Sequence, residues 1–281
     1  MVFFLSHSET DEGDRGNLMH FRYAGPTDGE HVLSTEPLTV APMSQLLEIE
    51  DQHPCDMAFL PEVGNADAGY LFVAEQRTQR VRVYRWSPTD GLVVHGVVDL
   101  PELAVGPNFV FLGAEDDRYL LGVAVYDGDT GAVRVLAARA ADLFPGAVPG
   151  ALDVSAFRPI DPTDPAGEFP FPVDSRASQV DLVTDSTGQH FLLAYRASTD
   201  DDETGDDLVD IHPISFKPVS VGPATRAIHI FLRPGHTSFA STGTHHVDRQ
   251  GRLLISSSYR WAEDEGPSDS GYVSRVDECP S

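Results

Sequence analysis

The sequence predicts an all-β chain, and three observations predict it. Short apolar or β-branched runs recur at 2–6, 70–74, 119–123, 191–195 and 252–256, each long enough for a buried strand and too short for a helix. Each is followed by a polar loop and a second, alternating run, at 17–22, 80–86, 132–137, 207–212 and 271–276, which is hairpin spacing. Four of the pairs are preceded by a third run that ends in a turn, at 56–60, 108–112, 179–183 and 244–247.

The turns have their own chemistry. Asp185-Ser186-Thr187-Gly188 and Asp248-Arg249-Gln250-Gly251 each end on a glycine that supplies positive φ. A fourth strand is expected after most pairs, as at 92–98. Three or four antiparallel strands recurring at intervals of roughly 50 to 70 residues form a blade pattern. A β-sandwich also reads as many short strands, but it does not require one unit five times over.

This repeat resembles that of bacterial five-bladed or NHL-like β-propellers. The resemblance implies a single β-propeller domain over residues 1–281, of about five blades with three to four strands each. No family-defining motif accompanies it and the WD dipeptide is absent, so it implies architecture and not an activity. The first repeat, Phe3-Phe4-Leu5-Ser6, resembles the last, Leu253-Leu254-Ile255-Ser256; either one end completes a blade begun by the other, or the chain is a piece of a longer protein. Residues 140–177 break the pattern with Pro145, Pro149, Pro159, Pro162, Pro165, Pro170 and Pro172, which predicts an insertion or long connection rather than regular sheet.

Charge narrows the partners. With 44 acidic against 19 basic residues the net charge is -25, and Lys217 is the only lysine. Nucleic acid and anionic membranes are excluded as partners, since both require clustered Lys and Arg. No apolar run reaches the roughly 20 residues that cross a bilayer. The opening Met1 to Leu5 is too short for a signal-peptide core, so a soluble, cytoplasmic chain is expected. Cys55 and Cys279 have neither zinc-finger nor CxxC spacing, and they fall on opposite sides of the predicted blades, so two free thiols are expected.

Antiparallel geometry places the start of each inner strand beside the loop between the second and third strands. Aligned on the apolar pair that ends each inner strand, Asp56, Asn108 and Gln179 occupy one position, and His53, Thr244 and His245 lie nearby. These six are the expected ligand-binding residues. Asp56, Asn108 and Gln179 are also the oxygen donors that a metal would take. Each has a plainer reading as a turn cap or a partner for backbone groups. The loops at 9–14, 127–129, 200–207 and 263–265 are acidic, which suits either solvated hairpin tips or a calcium site; none matches the EF-hand pattern. A histidine metal site would need His7 and His53 to converge with His245 or His246. A Ser241, His245 and Asp248 triad can be written down, but sequence order does not supply its geometry.

The reading that follows is a binding or interaction propeller. It recognises a small polar ligand, a glycan or a cationic partner at one acidic face, with calcium as the expected cofactor if there is one. The alternative is a glycoside hydrolase of five-bladed type, whose carboxylates would come from Asp56, Asp181 and Glu75. A metal-dependent lactonase-like hydrolase is the third reading.

Overall fold

The computed structural model describes residues 2–8, 15–21, 23–27, 30–33, 39–42, 54–75, 78–100, 107–126, 131–147, 151–159, 168–170, 175–185, 187–198, 207–217, 219–224, 226–230, 236–237, 242–247, 253–261 and 270–276. The chain gathers into two compact units, Met1–Asn108 with Phe144–Ser155, and Phe109–Leu143 with Ala156–Ser281.

The first unit opens with β1 (Val2–Ser8), β2 (Arg15–Phe21), β3 (Tyr23–Thr27), β4 (Glu30–Leu33) and β5 (Thr39–Pro42). They form a sheet of order β1-β2-β5 and a ribbon of β3 with β4. Four longer strands follow, β6 (Pro54–Glu62), β7 (Asn65–Glu75), β8 (Arg80–Ser87) and β9 (Gly91–Asp99), in one antiparallel meander of that order. Strand β7 is buried from Ala68 through Glu75, covered on both faces, which is why its sequence runs apolar instead of alternating. On outer strand β9, Val93 and Val94 are exposed. The Val63-Gly64 turn between β6 and β7 holds Gly64 at φ +78°, a conformation open to glycine without steric cost. Across β8 and β9 the register slips between Val83 and Tyr84, so His95 is the extra, bulged residue of β9. Its Nε2–H donates to the Leu152 carbonyl at 2.7 Å, tying the 144–155 segment to this sheet.

The second unit holds β10 (Pro107–Glu115) from Phe109 on, β11 (Arg118–Tyr126) and β12 (Gly131–Arg139), followed by a one-turn helix α1 (Ala140–Leu143) and the short strands β13 (Arg158–Pro159) and β14 (Glu168–Pro170), both paired with β12. Next come β15 (Ser175–Thr184), β16 (His190–Ser198), β17 (Asp207–Phe216), β18 (Val219–Val221) and β19 (Arg226–Ile230), in the order β15-β16-β17-β18 with β19 also on β17. The last sheet comprises β20 (His236–Thr237), β21 (Thr242–Val247), β22 (Leu253–Trp261) and β23 (Ser270–Val276), with β22 pairing all three others. The β10–β14 and β15–β19 sheets pack together over Phe111, Leu120, Ala124, Val135, Leu192, Ile214 and Phe216, an apolar core cluster of this unit.

The predicted repeat is borne out strand by strand: each expected inner, second and third run overlaps an observed strand, and the sheets are antiparallel meanders of the β-propeller blade type. Among the described residues of 140–177, short helical turns and short strands take the place of a regular blade, and two of the prolines enter sheet structure. Pro159 pairs with Leu136 and Pro170 with Ala132, on short edge strands where a missing N–H is tolerated.

Candidate functional site

Strand pairing fixes which groups share one end of each meander. Glu75, the last residue of β7, is opposite Pro54 at the start of β6 and opposite Arg80 at the start of β8. The start of the inner strand and the loop between second and third strands therefore lie together, as expected from antiparallel order.

At this end three inner strands carry the same irregularity. In β6 the register slips between Pro54 and Asp56, in β15 between Ala177 and Gln179, and in β21 between Thr242 and His245. The residues passed over are Cys55, Ser178, and Gly243 with Thr244. In each strand the first residue to rejoin the ladder is polar: Asp56 opposite Ala74, Gln179 opposite Tyr195, and His245 opposite Ile255. A bulge bends its strand and re-aims the side chain beside it, and bulges concentrate next to binding sites. Asn108 is the second residue of β10, again at the start of an inner strand. Thr244 lies inside the bulge of β21, one place before His245. His53, Cys279, Ser241, Asp248 and the four acidic loops, apart from Asp207 at the start of β17, lie outside the described residues. Among the described residues no three His, Cys, Asp or Glu side chains group to hold a metal, and no helix is long and apolar enough to cross a membrane.

The three carboxylates expected of a hydrolase are placed differently. Asp56 shares a sheet face with Ala74, whereas Glu75 is the next residue along β7 and so faces the other way. Glu75 is fully buried. Its Oε1 accepts from Arg82 Nε at 2.8 Å, and its Oε2 accepts from Arg82 Nη2 at 3.1 Å and from Thr78 Oγ1 at 2.8 Å. Burial raises the pKa of the neighbouring Tyr84 phenol far above the usual range, and the Glu75 charge adds to the rise. Asp181 is half-buried on β15, its Oδ1 accepting the Leu182 N–H at 2.7 Å. The sheet thus separates Asp56 from Glu75.

Sequence reasoning missed the partner of Glu75. Arg82 sits among Val81, Val83 and Tyr84 in a strand buried almost throughout. An arginine placed inside an otherwise apolar strand was the available signal, because a buried guanidinium needs a carboxylate.

No protein-family profile and no curated protein matches this sequence. Among solved structures, the chain is similar to the periplasmic gluconolactonase of Pseudomonas aeruginosa, with 19% identity and a TM-score of 0.47 over 99% of this chain and 69% of that one. It is similar also to an exo-1,5-α-L-arabinanase from a bovine ruminal metagenomic library, with 9% identity and a TM-score of 0.44 over 81% and 72%. A third is a sialidase from Streptococcus pneumoniae, with 9% identity and a TM-score of 0.48 over 90% and 33%.

Proposed function

We propose that the starts of the inner strands bind a small polar ligand or glycan, through Asp56 in the first unit and, separately, through Gln179 and His245 in the second. The observation that carries this reading is the bulge repeated in β6, β15 and β21, each followed by a polar residue. A carboxylate in the one, and an amide and an imidazole in the other, accept and donate hydrogen bonds, which suits hydroxyl-rich ligands. Asp56, Asn108 and Gln179 each offer a hard oxygen donor in their own unit, so calcium is the cation to test beside the ligand. Binding is preferred to glycoside hydrolysis because the latter needs two carboxylates across one sugar. Asp56 and Glu75 face opposite ways, and Glu75 is held by Arg82 and Thr78.

The test is a thermal-shift and calorimetric screen of the whole chain against calcium and neutral mono- and oligosaccharides, in low and high salt. A ligand-dependent rise in Tm that survives high salt is expected, since specific binding stabilises by mass action whereas screening of surface charge does not discriminate. Asp56→Asn, Gln179→Ala and His245→Ala should each weaken binding in its own unit by about tenfold or more without lowering the unliganded Tm. Three variants that bind like the parent chain would refute the proposal. Release of reducing sugar, abolished by Asp56→Asn, would move the assignment to a hydrolase.

A further inference from the structure

The meander β6-β7-β8-β9 holds a second polar cluster at the end opposite the bulged start of β6. It is built from one residue of each strand: Glu62 closes β6, Tyr70 and Arg85 are direct partners across β7 and β8, and the bulge in β9 delivers His95. Tyr70 is fully buried and Glu62 is 5% exposed. Arg85 Nη2 donates to Glu62 Oε2 at 3.2 Å, and Arg85 Nη1 donates to Asp90 Oδ2 at 3.1 Å. The Tyr70 ring meets His95 edge-on, centroids 4.9 Å apart, and His95 spends its Nε2–H on Leu152.

Three buried polar atoms of this cluster have no hydrogen-bond partner within the protein: Glu62 Oε1, Tyr70 Oη and Arg85 Nε. They are close enough to feel one another. Burial is the chief cause that raises the Tyr70 phenol pKa, and the Glu62 charge raises it further. Arg85 opposes this, through its charge and an approach to the hydroxyl looser than a full hydrogen bond requires. An orphaned buried polar atom costs roughly 1–3 kcal/mol, so three in one place call for a shared partner.

The chemistry of the three atoms selects that partner. Arg85 Nε–H only donates, a carboxylate oxygen only accepts, and the phenol can donate. A cation is repelled by the guanidinium and an anion by the carboxylate. What fits is a neutral molecule that accepts twice and donates once, small enough for a place nearly closed to solvent. We infer that Glu62 Oε1, Tyr70 Oη and Arg85 Nε bind one ordered water, which accepts from Tyr70 and Arg85 and donates to Glu62. Three partners is the usual complement of a buried structural water. This water links the turn after β6 to strands β7 and β8, closing a network that direct side-chain bonds leave open.

High-resolution crystallography of the full chain tests this directly. The expected result is one density peak within about 3.2 Å of all three atoms, with no anomalous signal. In Tyr70→Phe that peak should be lost or displaced from the ring. Oxygen-17 relaxation dispersion in solution should lose the amplitude of one long-lived water in Tyr70→Phe and again in Glu62→Leu. The inference is overturned by direct bonding of Tyr70 to Glu62 with no peak between them, by a peak that proves to be an ion, or by unchanged relaxation in both variants. None of these outcomes depends on whether the inner-strand surface binds a ligand.

Discussion

Arg82 and Glu75 meet in a two-pronged ion pair, Nε to Oε1 at 2.8 Å and Nη2 to Oε2 at 3.1 Å, with side chains 8% and 0% exposed. The pair lies under the turn that joins β7 to β8, which Thr78 anchors to the same carboxylate. Removing one partner of such a pair strands a buried charge. Glu75→Ala or Arg82→Ala should therefore each cost about 3–5 kcal/mol in urea unfolding. Glu75→Leu with Arg82→Met should cost clearly less than the sum, because no charge is left uncompensated. Additive losses would mean that the two groups do not act as a unit.

The phenols of Tyr70 and Tyr84 give a prediction for alkaline pH. Burial raises both pKa values, so the folded chain holds these protons more tightly than the unfolded chain does. The stability they contribute is full below the unfolded pKa of about 10 and is lost as pH rises beyond it. Near-ultraviolet titration of the folded chain should leave these two of its 8 tyrosines un-ionised until the protein unfolds. Tyr84→Phe should then be near neutral or stabilising at pH 7, within about 1 kcal/mol, because it deletes a hydroxyl that lacks a partner.

The strands were legible in this sequence because each blade repeats a period that its burial dictates. In β7, covered on both faces, the signal is the unbroken run Tyr70 to Ala74. Asp56, Gln179 and His245 could be named from their place in the repeat, but not the bulges beside them. A bulge is a property of the pairing, set by how Pro54 and Asp56 divide between Glu75 and Ala74, and one strand's sequence does not specify its partner's register. The buried clusters were hidden for a related reason. Glu75 reads as a carboxylate beside an inner strand, and only the diagonal across β7 and β8 reveals that Arg82 claims it.

The lone lysine gives a prediction for salt. Lys217 donates to Asp116 Oδ2 at 2.6 Å and lies 3.8 Å from Asp117, joining the turn after β10 to the turn after β17. The hydrogen bond from Lys217 lowers the Asp116 pKa and raises that of Lys217. Asp116 loses its contribution as pH falls through its depressed value, and Lys217 loses its own as pH rises through its raised one. The pair is therefore complete between about pH 4 and pH 10. Carbon-13 titration of the Asp116 carboxyl should give a midpoint below the ordinary aspartate value at low salt. That depression should shrink in 1 M salt, where the Debye length falls to about 3 Å, and vanish in Lys217→Gln.

Two glycines of the second unit, Gly122 in β11 and Gly188 in the turn between β15 and β16, separate packing from backbone conformation. A Cβ at Gly122 of β11 would overlap the ring of Phe111, a side chain 2% exposed in the core of the second unit, whereas a Cβ at Gly188 would meet nothing within 4 Å. Gly188, however, has φ +87°, where side chains are strained whatever the space. Gly122→Ala should destabilise by about 1–3 kcal/mol through overpacking. The remedy should be specific, with Phe111→Leu recovering part of the loss by returning the space that the methyl takes. Gly188→Ala should destabilise by about 1 kcal/mol through its backbone, with no recovery from any core substitution. Chemical denaturation of the four variants decides it: equal losses in Gly122→Ala with and without Phe111→Leu would show that the contact between β10 and β11 is not what excludes a side chain there.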